Sequence, residues 1–241
     1  NSPAVVCSGN DSCFWLAGDN GDLILFNKQT TAIFPSTKFG LESNLRMITC
    51  MLLDRDGISV WVGYTTRYGE GSAGIVHFDG DTVKKRIDGW DPITAIARDS
   101  SGNLWFASKS DRYYAGRIAV LHNTKLTTYF KDSDGKKFGG CNALFVDKSG
   151  IVWTHTDNGI ARFDGSSWKL FEREVVSPDL PYARYSNIIQ DKAGTVWFGT
   201  EERFEGSGIL AYKDSRWYHF TTRDGIPCNS IRSCALDSKD N

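Results

Sequence analysis

Short apolar runs separated by small clusters of Gly, Asp, Asn and Ser extend along the whole chain. Runs such as ITAIARD, NLWFAS and GRIAVLH are rich in β-branched and aromatic residues. That length and composition predict strands, and no window sustains apolar residues at i, i+3, i+4 and i+7 between helix caps. The expected helix content is close to none.

The pattern repeats. LDRDGISVWVGY, ARDSSGNLWFAS, VDKSGIVWTHT and QDKAGTVWFGT each carry an apolar run, an Asp, a Gly turn and an apolar-Trp pair. The anchoring residues are Trp61, Trp105, Trp153 and Trp197, and Trp15 in SCFWLAGDNG is a weaker first copy, so successive spacings are 46, 44, 48 and 44. After each Trp comes a second shared piece, GDLILFN, GIVHFDG, GRIAVLHN, GIARFDG or GILAYKD, and then an aromatic-rich finish such as SSWKLFE or SRWYHFTT. Each unit therefore reads as four strands: one before the Asp, one with the Trp, one after the Gly and one at the finish. Asp99-Ser100-Ser101-Gly102 and Asp147-Lys148-Ser149-Gly150 have the chemistry of tight hairpins, an Asp that bonds its own backbone and a Gly that accepts positive φ.

Four-stranded units of this length in an array predict an all-β fold, a β-propeller of four-stranded antiparallel blades. A two-sheet sandwich has no reason to repeat Asp, Gly and Trp in register. The expected blades are about 4–40, 41–90, 91–138, 139–184 and 185–228, with 229–241 starting a further one, all in one propeller domain over 1–241. By the repeat the next Trp is due near position 243, past Asn241, so the expectation is a fragment of a longer propeller or closure of the last strand onto the first blade.

Charge then narrows the partners. With 28 basic and 29 acidic residues in 241, the chain lacks the electrostatic footprint of a nucleic-acid binder, and no apolar stretch is long enough to span a bilayer. A neutral or zwitterionic small ligand is the expectation. If the first strand lines the channel, the loops after the second strand and the loops between blades share one face, and loops on a rigid scaffold carry function. The candidates there are Arg67, Tyr68 and Glu70, then Arg112, Tyr113 and Tyr114, then Glu201, Glu202, Arg203 and Phe204, with Trp90, Asp91, Tyr182, Arg184 and Tyr185 from the inter-blade loops. Arg offers a planar donor fork, Tyr a flat face with a polar tip, and carboxylates accept hydroxyl hydrogens, which together suit a polyhydroxylated ligand. The same residue types also make surface ion pairs and blade-to-blade clasps. The repeated Trp and Asp residues are expected to serve packing and turn formation.

Catalytic patterns are scarce. Among His77, His122, His155 and His219 there is no His-Glu-x-x-His, and the chain has no Gly-x-Ser-x-Gly, phosphate loop or two-Cys metal knuckle; neither cofactor nor metal is expected. His155 stands where Gly199 stands in the last copy, two residues before Asp157, on the expected ligand face. It is a candidate ligand contact or base. Cys7 and Cys13 flank Asn10 and are expected to approach across a hairpin, while Cys228 and Cys234 share their spacing.

FTTRDGIPCNSIRSCALD (Phe220 to Asp237), DKAGTVWFGT and GIARFDGSSWKLF resemble the two-component-regulator propeller repeat of periplasmic sensor regions in bacterial hybrid two-component systems. The resemblance implies a periplasmic or secreted ligand sensor, often for oligosaccharides, with a downstream signalling domain or a homodimer partner. The Trp-Phe-Thr phrases also resemble those of streptogramin-inactivating propeller lyases, which implies an enzymatic alternative; a protein-interaction scaffold is the third.

Overall fold

The computed structural model describes residues 5–8, 13–18, 20–27, 30–41, 46–66, 73–109, 116–176, 184–201, 208–231 and 233–237. These form five four-stranded antiparallel sheets with almost no helix. The first is β1 (Val5–Ser8), β2 (Cys13–Ala17), β3 (Leu23–Asn27) and β4 (Thr31–Phe34); the second is β5 (Arg46–Leu53), β6 (Val60–Thr66), β7 (Ala73–Phe78) and β8 (Val83–Trp90). The third contains β9 (Ile93–Arg98), β10 (Leu104–Ser108), β11 (Ile118–His122) and β12 (Lys125–Tyr129). The fourth is β13 (Cys141–Val146), β14 (Val152–Thr156), β15 (Gly159–Phe163) and β16 (Trp168–Glu172), and the fifth is β17 (Arg184–Gln190), β18 (Val196–Glu201), β19 (Ile209–Lys213) and β20 (Arg216–Phe220). Every sheet keeps its strands in chain order. In each, therefore, the loop after the second strand lies at the same end as the loops entering the first strand and leaving the fourth, and the Asp-Gly turns lie at the other.

The chain divides into two compact units, one drawn from 1–96 and 106–116, the other from 97–105 and 117–241. In the first, β1 neighbours β5 and the core gathers Trp15, Leu23, Phe39, Leu41, Ile48, Val62, Tyr64 and Phe78. Trp15 reaches from the first sheet to the turn of the second, where its indole N–H donates to the Ile58 carbonyl at 2.9 Å. In the second unit, β13 neighbours β17, and Trp153 packs edge-on to Phe198 and Trp217 at 5.7 and 6.5 Å. Trp105 likewise meets Phe163 and Trp168. Trp15, Trp105 and Trp153 thus each tie one sheet to the next.

The repeated Asp and the repeated Trp are partners. The indole N–H groups of Trp61, Trp105, Trp153 and Trp197 donate to the carboxylates of Asp54, Asp99, Asp147 and Asp191 at 2.8 to 2.9 Å. The other carboxylate oxygen accepts turn N–H groups, as Asp147 does from Ser149 and Ile151 at 2.9 Å. One side chain closes the hairpin and satisfies the buried indole. The Gly that opens the third strand has an equally local cause: Gly159 has φ +140°, and a Cβ there would run into the Phe171 carbonyl oxygen on β16. Only glycine permits that approach.

One expectation changes. The register places Trp15, not Cys13, opposite Cys7, with Ser8 opposite Phe14, so Cys7 and Cys13 do not face one another directly. Beyond β20, residues 225–237 include no assigned strand among the described positions. They are held instead by individual bonds: Gly208 N–H to Asn229, Ile231 N–H to Thr200, and the Asn187 side-chain amide on both the N–H and the carbonyl of Cys234. Cys228 and Cys234 are free thiols.

Candidate functional site

Of the expected ligand contacts, Arg67, Tyr68, Glu70, Arg112, Tyr113, Tyr114, Glu202, Arg203 and Phe204, and also Tyr182, lie outside the described residues. Arg184, Tyr185 and Glu201 are described by their backbone, Arg184 standing opposite Glu201 and Tyr185 opposite Thr200 at one end of the fifth sheet. Trp90 closes β8 as a buried residue, edge-on to Phe106 at 4.7 Å, and Asp91 beside it is buried too. His155 and Asp157 are fully placed.

His155 is enclosed within β14, 2% exposed, with Ala143 opposite it on β13 and Ile160 on β15. Burial, and secondarily the Arg173 guanidinium, hold its pKa well below the usual imidazole value. At neutral pH it is an uncharged core side chain. Gly63, at the corresponding strand position, stands opposite Cys50, where a Cβ would crowd Cys50 and Ile93. The smaller Ala143 stands opposite the larger His155.

Asp157 turns toward the inter-sheet loop. Its carboxylate accepts the Gly140 N–H at 2.6 Å, its own N–H donates to the Gly140 carbonyl at 2.8 Å, and the Asn158 side-chain amide donates to the Lys137 carbonyl at 2.8 Å. The β14–β15 turn is thereby fastened to residues 137–140. Residues 131–137 form a small hairpin pinned by Asp132, whose carboxylate accepts the N–H groups of Asp134 and Lys136 and, across to β16, of Leu170 at 3.0 Å. Ser133 N–H adds a bond to the Trp168 carbonyl at 3.0 Å.

Where this docked hairpin meets the end of β16, a cavity of about 330 Å³ opens, lined by Lys136, Lys137, Asn158, Leu170, Glu172 and Arg173. Lys136 Nζ pairs with Glu172 at 2.6 Å. Nothing in the sequence pattern singled out Lys136, Lys137 or Arg173, because they come from different loops; the Asp-x-Asp-Gly turn at 132–135 was the one local sign that this connection folds back. In three of the sheets the first strand breaks register, between Ile48 and Cys50, Cys141 and Ala143, and Tyr185 and Ile188. Each bulge lies near the start of its strand, at the end of the sheet that carries the candidate loops, a usual place for bulges beside functional sites.

A second cavity, of about 370 Å³, lies in the fifth sheet between Ile189, Trp197 and Ile209 and the Cys234–Leu236 segment. Its lining is mainly apolar, and Trp197 is partly exposed where Trp15, Trp105 and Trp153 are buried. No group of three or more His, Cys, Asp or Glu among the described residues is placed to hold a metal ion. No helix among them is long and apolar enough to cross a membrane.

The sequence family described as two component regulator propeller matches residues 89–110 and 179–202. Each match ends on a Trp strand, Trp105 in β10 and Trp197 in β18. Two stretches of the chain are similar to this repeat. In fold, the chain is similar to PorZ, a bacterial surface component of the type IX secretion system of Porphyromonas gingivalis, with TM-score 0.70 and 16% identity over 96% of this chain and 36% of that one. It is similar to the extracellular domain of the putative hybrid two component system BT3049 from B. thetaiotaomicron, with TM-score 0.55 and 19% identity over 99% of this chain and 37% of that one. It is also similar to virginiamycin B lyase from Staphylococcus aureus, with TM-score 0.66 and 16% identity over 90% and 69%. The chain thus spans little more than a third of PorZ and of the BT3049 domain. At these identities the likeness establishes the fold alone. No curated protein matches the chain in sequence.

Proposed function

We propose that this propeller is an extracytoplasmic ligand-binding module of a two-component sensor, recognising a small polar ligand of the oligosaccharide class at the end of the sheets that carries the inter-blade loops. The repeat matched at 89–110 and 179–202 carries the reading, and the similarity to an extracellular domain of a hybrid two component system supports it. The loop chemistry agrees: Arg67, Tyr68 and Glu70, Arg112 to Tyr114 and Glu201 to Phe204 offer the donor forks, flat faces and acceptors that a polyhydroxylated ligand uses. The binding face, in this reading, includes the turn at Asp157 and Asn158 and the cavity beside it.

The five sheets are read as consecutive blades of one propeller, with 229–237 as the leading segment of a further blade. The paired bonds from Asn187 to Cys234 and the apolar space between Trp197 and Leu236 support that reading, since the Trp-bearing face of a blade packs on its successor.

A thermal-shift panel of oligosaccharides, amino acids and peptides tests the proposal. The expected result is stabilisation by a saccharide with no turnover. Metal-dependent turnover abolished by His155→Ala would replace it with a lyase-like enzyme, and a stable protein complex with no small-molecule shift would replace it with a scaffold.

A further inference from the structure

The cavity at the end of β16 is built around an ion pair that is open to it. Lys136 Nζ and Glu172 Oε2 lie 2.6 Å apart, and the two side chains are 43% and 46% exposed. A bond of this kind uses one of the three ammonium hydrogens and one lone pair of the carboxylate, so the pair keeps donors on one side and acceptors on the other. The hydrogen bond to Glu172 raises the Lys136 pKa, so its ammonium stays charged throughout the neutral range.

The surroundings are fixed by bonds in which neither charged group takes part. The Asp132 carboxylate accepts the backbone N–H of Lys136 and, on β16, of Leu170, and Ser133 N–H donates to the Trp168 carbonyl. The hairpin that carries Lys136 is therefore anchored to the strand that carries Glu172 by contacts other than the ion pair. The Asn158 side-chain nitrogen donates to the Lys137 carbonyl at 2.8 Å, and its oxygen gives the cavity wall an acceptor suited to a hydroxyl. Leu170, 6% exposed, adds a small apolar patch. At about 330 Å³ the space lies at the small end of ligand sites, with room for one sugar ring rather than a run of them.

Adjacent ring hydroxyls of a sugar stand about a hydrogen bond's length apart, and each hydroxyl both donates and accepts. They match a donor and an acceptor held side by side. A neutral diol bonds to both members of the pair and leaves the pair intact, and bonds to charged partners are the stronger ones. We propose that this cavity binds a single neutral sugar ring through two adjacent hydroxyls, one accepting from Lys136 and the other donating to Glu172, with a further hydroxyl on the Asn158 oxygen. The proposal rests on the ligand-binding reading above and deepens it, by naming the subsite and the hydroxyl pattern it selects.

Amide-shift titration of the full chain with the methyl pyranosides of glucose, galactose and mannose, and with their 3-deoxy analogues, tests it. Removing the hydroxyl at carbon 3 removes every pair of adjacent ring hydroxyls from a methyl pyranoside. At least one parent glycoside is expected to bind, and its 3-deoxy analogue to bind about tenfold more weakly or worse, as for a lost bond to a charged group. Lys136→Met and Glu172→Gln are each expected to weaken binding of the parent about tenfold. An unchanged melting temperature, expected because an exposed ion pair contributes little to stability, separates lost binding from lost folding. The analogue comparison uses the native chain and decides the matter even where a variant folds poorly. Equal binding of parent and analogue, binding unaffected by both variants, or no glycoside binding by a chain that an oligosaccharide of the wider panel stabilises overturns the subsite and leaves the ligand-binding reading standing. Absence of binding by every sugar in both sets overturns both.

Discussion

Replacing Asp147 by Ala removes one carboxylate and strands three donors. Ser149 N–H, at the exposed tip of the turn, turns to water at little cost. Ile151 N–H is half-buried, and the indole N–H of Trp153, a residue 1% exposed, has no route to solvent. A buried donor left unsatisfied costs about 1–3 kcal/mol, and a bond to a charged acceptor lies in the upper part of that range. Taking the indole near 2 kcal/mol and Ile151 near 1, the expected loss is about 3 kcal/mol, or about 6–12 °C in melting temperature for a chain of this size. Urea denaturation followed by tryptophan fluorescence measures it. Asp164→Ala on the same sheet is the control, because that carboxylate caps a solvent-facing turn through Ser166 and Ser167, and its removal is expected to cost much less. The double variant Asp147→Ala, Trp153→Phe is expected to be less destabilised than the sum of the two single changes, since each already breaks the shared bond. If Asp147→Ala proves as mild as Asp164→Ala, the Asp-Trp pair is not what closes the hairpin.

Other consequences are as direct. His155 is neutral when folded and titrates near 6.5 when unfolded, so its contribution is fully present above pH 6.5 and is lost as pH falls below it; stability is expected to decline by about 1 kcal/mol per pH unit between pH 6 and 5, and His155→Ala, less stable at pH 8, is expected to flatten that slope in a pH series of denaturation curves. Gly159→Ala drives a Cβ into the Phe171 carbonyl at positive φ and is expected to destabilise by about 3 kcal/mol, where Gly150→Ala, whose Cβ meets nothing within 4 Å, pays only the strain of its dihedral. Burial pushes the Cys50 thiol up to about 12 and raises that of Cys141, so both are expected to resist a thiol reagent in the folded protein while exposed Cys228 reacts at once; rapid labelling of Cys141 by mass spectrometry would contradict the core described above.

The fold was legible because each repeat states its own turn chemistry. The Asp, the Gly and the Trp recur in register, and the strand boundaries follow from hairpins in which nearly every residue is local. What pattern alone could not supply was the pairing of Asp147 with Trp153, since either residue has a sufficient separate explanation, the Asp as a turn former and the Trp as core. The site was less legible for a physical reason. Lys136, Asn158 and Arg173 converge only because Asp132 docks its hairpin on β16, a contact across 38 residues that no local rule encodes. His155 shows the converse. Its position on the candidate face was readable, but its enclosure opposite Ala143 depends on the register of β13 against β14, including the shift between Cys141 and Ala143.

The central claim is that a ligand meets this protein at the loop end of its sheets. Amide chemical-shift mapping of the isotopically labelled chain with the oligosaccharide that stabilises it in the thermal-shift panel tests it most directly. The account predicts shifts gathered at Lys136 to Gly140, at Asp157 to Gly159 and at Glu172 and Arg173, with the Asp-Gly turns at Lys148 to Gly150 and Lys192 to Gly194 unmoved. Shifts concentrated at those turns would contradict it.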